Sequence, residues 1–272
     1  MTTAPVIPGI RFLKKDKYAI CHIDDFSDPL KNIIRNQLSS VCHGPLKSSS
    51  QRKAYNYKNT LKEFIKRYET KAPETKIGMI GEFITHILVL QFFSEFKTVS
   101  PYFNFEERSI KKGFDIVLFS IENNLLWITE VKSRELHKDK SSKETNMDLL
   151  GTAKRDLKKR LNENETILWE NAINAASIAL GNKKDIKDAV LEILDNINDG
   201  VLEDKALSTD KNVILVASLF SSLSDEIKKE EIEKFLLKVN KEKTFRNVMV
   251  LSIQKETYIK VVKFLIQESK NK

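Results

Sequence analysis

The sequence predicts a mixed α/β fold, a central β-sheet flanked by helices, and three observations carry that prediction. Short runs rich in β-branched and aromatic residues, "DIVLFS", "LLWITEVK", "NVILVASLF" and "NVMVLSI", read as buried strands. Longer segments such as "DIKDAVLEILDNIN" place apolar residues on a single helical stripe. Strand and helix alternate through the last third of the chain, which puts helices on the faces of a sheet.

Residues 1–52 read as an N-terminal α/β extension. It holds a strand, "KYAICHIDDF", a helix, "DPLKNIIRNQLSSV", opened by Ser27, Asp28 and Pro29, and a loop, "HGPLKSSSQRK". Residues 53–272 form the main domain, and the extension packs on it as part of one compact unit. "YKNTLKEFIKRY" is helical and closes before Pro73. "ETKIGMIGEFITHILVLQFF" is a helix apolar nearly all round, so it is expected to be buried on several sides. Gly78 and Gly81 each cost about 1 kcal/mol in a helix interior, so a close neighbour is expected at both.

"FEERSI", "KGFDIVLFS" and "NLLWITEVK" follow as three extended runs. "KDKSSKETNMDLLG" reads as a polar loop and "TAKRDLKKRL" as a basic helix. After "KKDIKDAVLEILDNIN" come strand "NVILVASLF", helix "DEIKKEEIEKFLLKV", strand "NVMVLSI" and helix "ETYIKVVKFLIQE".

A formal charge of +8 favours polyanionic partners, since clustered cations release counterions from phosphate backbones. No basic start leads into an apolar run, so no secretory signal is expected. The longest apolar run, "ITHILVLQFF", is broken by His86 and Gln91 and falls short of the roughly 20 residues that span a bilayer. Two cysteines make no disulfide framework, and a reducing cytoplasm is the expected location. Cys21-His22 and Cys42-His43 match no usual zinc spacing. With no glycine-rich phosphate loop, no nucleotide cofactor is expected.

The chemistry concentrates at "TEVK". Side chains in a strand alternate faces, so Glu130 and Lys132 share one surface and Val131 faces the other. If "KGFDIVLFS" and "NLLWITEVK" turn symmetrically through "IENN", residue 120 pairs with 125 and Asp115 falls opposite Glu130. Two opposed carboxylates repel unless a divalent cation lies between them; Mg²⁺ or Mn²⁺ suits hard oxygen ligands and keeps several waters. Lys132, on the same face, is placed to meet a water or developing negative charge. A solvated ion cluster is the alternative reading, but these charges interrupt strands that are apolar on both faces.

Together Glu82 in "GMIGEF", Asp115 in "GFDIVL" and "EVK" at 130–132 resemble the PD-(D/E)XK, or restriction-endonuclease-like, nuclease superfamily. The resemblance implies an αβ-βαβ core and metal held by Asp115, Glu130 and the Val131 carbonyl. It also implies a water-orienting Lys132 and an auxiliary acid at Glu82. Phe114 stands where that family's motif is written with proline. Over the full chain, its length, its N-terminal extension and "GFDIVLFS...LLWITEVKS" are similar to HamA, the nuclease family of the Hachiman antiphage defence system. That likeness implies DNA as target and a helicase partner, HamB. Lys154, Arg155, Lys158 and Lys159 then become candidate phosphate contacts, with a solvated helix face as the alternative. A nuclease fold kept as a non-catalytic binding scaffold is the competing functional reading.

Overall fold

The computed structural model describes residues 5–103, 113–163, 165–181 and 184–270. The chain opens with strands β1 (Ile10–Lys14) and β2 (Tyr18–Ile23), followed by helices α1 (Asp28–His43), α2 (Pro45–Ser48), α3 (Tyr57–Glu69) and α4 (Pro73–Phe92). Strands β3 (Phe96–Thr98), β4 (Ile116–Ser120) and β5 (Leu125–Glu135) come next, then helices α5 (Ser142–Asn162), α6 (Thr166–Leu180) and α7 (Lys184–Leu202). Strand β6 (Asn212–Phe220), helix α8 (Lys229–Lys241), strand β7 (Asn247–Lys255) and helix α9 (Ile259–Lys270) complete the fold.

Among the described residues seven strands join one sheet in the order β1-β2-β7-β6-β5-β4-β3. Its centre is parallel, β2 with β7, β7 with β6 and β6 with β5, and both margins are antiparallel. The mixed α/β architecture is therefore the one the sequence predicts. Residues of the N-terminal extension supply β1 and β2 to that same sheet. Among the described residues no helix is long and apolar enough to cross a membrane.

Strand alternation divides the core in two. Ile116, Leu118, Val131, Ile214 and Val216 pack beneath α1, α3, α4 and α9. Val117, Phe119, Ile128, Val213 and Leu215 pack beneath α5, α6, α7 and α8. Glu130 therefore shares the α5 face with Ile128, two residues earlier, and Val131 faces α4.

Where α4 crosses the sheet, a carbon added to Gly81 would lie 1.9 Å from Ser133 Oγ and 2.6 Å from Ser133 Cβ. The close approach expected at Gly81 is real. At Gly78 it is absent, since nothing lies within 4 Å of the corresponding position. Here the glycine reflects no packing demand.

One further expectation needs correction. The segment read as a loop before Thr152 is helical from Ser142, because Ser141 and Glu144 cap the helix reciprocally: Ser141 Oγ accepts from the Glu144 N–H, and Glu144 Oε2 accepts from the Ser141 N–H. Strand β1 and helix α6 were not foreseen. β1 is a five-residue edge strand with Leu13 on its exposed side and Lys14 on its half-buried side, and α6 is apolar around most of its circumference, so neither sequence shows a clean period. The run "FEERSI" lies outside the described residues.

Candidate active site

The β4–β5 hairpin has the register required by pairing 120 with 125, running from Ser120↔Leu125 to Ile116↔Thr129. Residues 121–124 make the turn, and Asn124 takes φ 53°, a left-handed conformation that asparagine tolerates well. β4 begins at Ile116, so Asp115 is the first residue off the ladder, facing Glu130. Its Oδ2 accepts the Val131 N–H at 2.7 Å. A strand residue sends its N–H and C=O toward the same neighbour, so the Val131 carbonyl also opens on the Asp115 side.

Glu130 is only 1% exposed. Burial and the facing Asp115 push its carboxyl up, and Arg160 and Lys132 pull it back only in part. Lys132 Nζ donates to Glu130 Oε1 at 2.8 Å and reaches Asp156 Oδ2 at 2.7 Å. Burial works against the Lys132 ammonium, but Glu130 and Asp156 outweigh it and hold the group above its ordinary value. On the other side of the carboxylate, Arg160 donates from NH2 to Glu130 Oε2 and from NH1 to the Gly113 carbonyl, the latter at 3.1 Å. Asp156 and Arg160 stand one turn apart on α5, along one edge of its buried stripe.

Glu82 comes from the opposite face, since α4 packs on the side of Val131 and Ser133. Tyr102 links it to the acid pair. The phenol, donating to the Met79 carbonyl at 2.9 Å, is raised first by burial and then by Glu82, Cys42 and Asp115. Asp115, Glu130 and Lys132 thus converge directly, and Glu82 stands on the α4 side of the sheet, where it acts on Tyr102. His86 is buried, its ring edge-on to Tyr102 at 5.6 Å.

Among the described residues no group of three or more His, Cys, Asp or Glu side chains is arranged to hold a metal. A cation here would draw on two carboxylates, one carbonyl and water. That hard, oxygen-only donor set fits Mg²⁺ or Mn²⁺ and not zinc. Cys21 and Cys42 are buried free thiols.

The chain matches the HamA family over residues 10–269, nearly its whole length. It belongs to the HamA family. Membership associates it with the Hachiman antiphage defence system. The match takes in every strand of the sheet and the positions of Glu82, Asp115, Glu130 and Lys132. No curated protein matches the chain.

Two site residues of this HamA-family chain, Asp156 and Arg160, escaped the sequence reading. Their signal was an Asp and an Arg at i, i+4 flanking the stripe of Leu149, Ala153 and Leu157, but no local pattern says which sheet face the helix covers. The four cations singled out from the sequence are dispersed. Lys154 pairs with Glu242, and Arg155 donates to Thr152 Oγ1 at 3.0 Å. Lys159 lies 3.4 Å from Glu163, and Lys158 is exposed. Lys154 is two residues from Asp156, which turns it to the far side of α5. There Lys154 and Arg155 join Lys143, Lys234 and Lys238 around a groove of about 500 Å³ between α5 and α8.

Proposed function

We propose that this HamA-family chain is a metal-dependent nuclease of the PD-(D/E)XK type that hydrolyses DNA phosphodiester bonds in the cytoplasm. In this reading it is the effector subunit of a Hachiman complex, with the helicase HamB as partner. The observation that carries the reading is the opposition of Asp115 and Glu130 at the open end of the β4–β5 ladder, with Lys132 on the same face as Glu130. Mg²⁺ or Mn²⁺, when bound, would supply Lewis acidity at the phosphoryl oxygen.

The chain's own residues do the rest. Val131 fixes Asp115 through its N–H, so the carboxylate needs no reorganisation before binding. Burial keeps Glu130 in a poorly hydrated setting where a compensating cation is worth most. Lys132, braced by Asp156, holds an ammonium beside the acid pair, where it orients the attacking water and meets developing negative charge. Glu82 assists from the α4 side. The groove between α5 and α8 offers a second basic surface for the phosphate backbone, away from the reacting atoms.

Plasmid cleavage with the partner present tests the proposal. Glu130→Ala and Lys132→Ala are expected to lose cutting by roughly a hundredfold or more. Wild-type cutting by either variant overturns it. A competing reading, a non-catalytic scaffold, draws on one observation: both Glu130 oxygens already carry cationic partners within the protein. A scaffold would bind no divalent cation in an Asp115- and Glu130-dependent way.

A further inference from the structure

Among the described side chains paired with Glu130, Arg160 is the one whose placement the proposed chemistry does not use. Its guanidinium lies across the gap between the two acid-bearing strands. One nitrogen is on Glu130 Oε2, and another, 3.1 Å from the Gly113 carbonyl, reaches the segment that leads into Asp115. A dication shared by Asp115 and Glu130 needs that same gap. Lys132 holds the other oxygen, Oε1, and approaches with Asp156 as its second partner, so it braces the acid from the side.

We infer that Arg160 is an internal cation that competes with the divalent ion for Glu130, so that this single side chain sets the metal affinity of the site. The inference rests on the nuclease reading and deepens it.

A carboxylate with 1% exposure cannot be left with part of its charge uncompensated without a large penalty, so the guanidinium leaves only as another cation arrives. The exchange is one positive group for another at an anion whose environment disfavours it standing alone. Arg160 also has somewhere to go. Asp156 stands one helical turn earlier on the same edge of α5 and is 45% exposed, within range of a guanidinium withdrawn from the sheet. Resting protein therefore keeps Glu130 paired with cations without metal, and binding carries the extra cost of evicting an arginine.

The test is a calorimetric titration of the full, metal-free chain with Mn²⁺, accompanied by the Mn²⁺-induced shift in melting temperature, for wild type, Arg160→Gln, Arg160→Lys and Glu130→Gln. Arg160→Gln removes the competitor and is expected to bind about tenfold tighter than wild type, with a larger thermal shift. Arg160→Lys keeps the charge but loses the fork that spans Glu130 and Gly113, and is expected to fall between the two. Glu130→Gln is expected to bind no ion at the site. Equal or weaker Mn²⁺ binding by Arg160→Gln, with Glu130-dependent binding intact in wild type, overturns the arginine proposal and leaves the metal reading standing. Absence of Glu130-dependent binding in every chain overturns both. If Arg160→Gln does not fold, Arg160→Lys decides: tighter binding than wild type supports the competitor, and equal or weaker binding removes it.

Discussion

Val131 donates its backbone N–H to Asp115 Oδ2 at 2.7 Å, so the aspartate is anchored to the very strand that carries Glu130. Anchoring and charge can be separated by substitution. Asp115→Asn retains an oxygen able to accept that N–H and is expected to unfold in urea within about 1 kcal/mol of wild type. Its loss of charge is nonetheless expected to abolish Mn²⁺ binding, read by calorimetry. Asp115→Ala leaves the Val131 N–H unsatisfied and is expected to cost a further 1 to 3 kcal/mol or so. Undiminished ion binding by Asp115→Asn would remove the aspartate from the site.

Gly81 makes a second prediction, on stability. A methyl group there would meet Ser133 at 1.9 Å and 2.6 Å and Ser218 Cβ at 3.2 Å, so α4 has to back away from β5 and β6. Gly81→Ala is expected to lower stability by about 1 to 3 kcal/mol despite the better helix propensity of alanine. Pairing it with Ser133→Gly should recover most of that loss. The same substitution at Gly78, where the space is open, is expected to stabilise slightly. Urea midpoints for the three variants check the ordering.

Acid should destabilise the fold through His43, a buried residue between α1 and α3. His43 Nε2 donates to Thr60 Oγ1 at 3.0 Å, Thr60 having committed its own hydrogen to the Asn56 carbonyl. Burial, with Lys47 and Arg67 nearby, pushes the imidazole down to about 4, below its unfolded value near 6.5. The unfolded chain therefore takes up a proton that the folded chain refuses. The contribution to stability is complete above about 6.5 and is lost as pH falls from there toward 4. His43→Gln lacks this titration, so wild type is expected to lose on the order of 2 kcal/mol more than the variant between pH 7 and pH 4. Equal losses in urea melts would refute the assignment. The comparison is insensitive to His22, also pushed down by burial, because both chains carry it.

The hairpin bearing Asp115 and Glu130 was legible in the sequence because each strand is a short apolar run and the turn between them has a fixed length, which leaves one register that keeps both faces buried. Strands β6 and β7 were legible for the same reason, being buried along almost their entire lengths. What stayed hidden depends on contacts between distant segments. Nothing near residue 20 announces that β2 pairs with β7, and nothing near residue 160 announces that Arg160 rests on Glu130. The basic cluster on α5 was visible as composition, but helical geometry turns Lys154 and Arg155 toward α8 while Asp156 and Arg160 face the acids. Local pattern located the strands that carry the acids, and tertiary packing chose their company.

Because Tyr18 aligns with Val250 and Ile23 with Lys255, the parallel centre of the sheet is closed by two strands whose paired residues lie 232 positions apart along the chain. A nascent chain has the acid-bearing hairpin before the strand that flanks it, since β5 waits for β6, and β2 waits longer still for β7. Such high contact order predicts slow folding that completes only once β7 is available. A translation product truncated before β7 would leave β2 without its central neighbour and should be prone to aggregation and degradation.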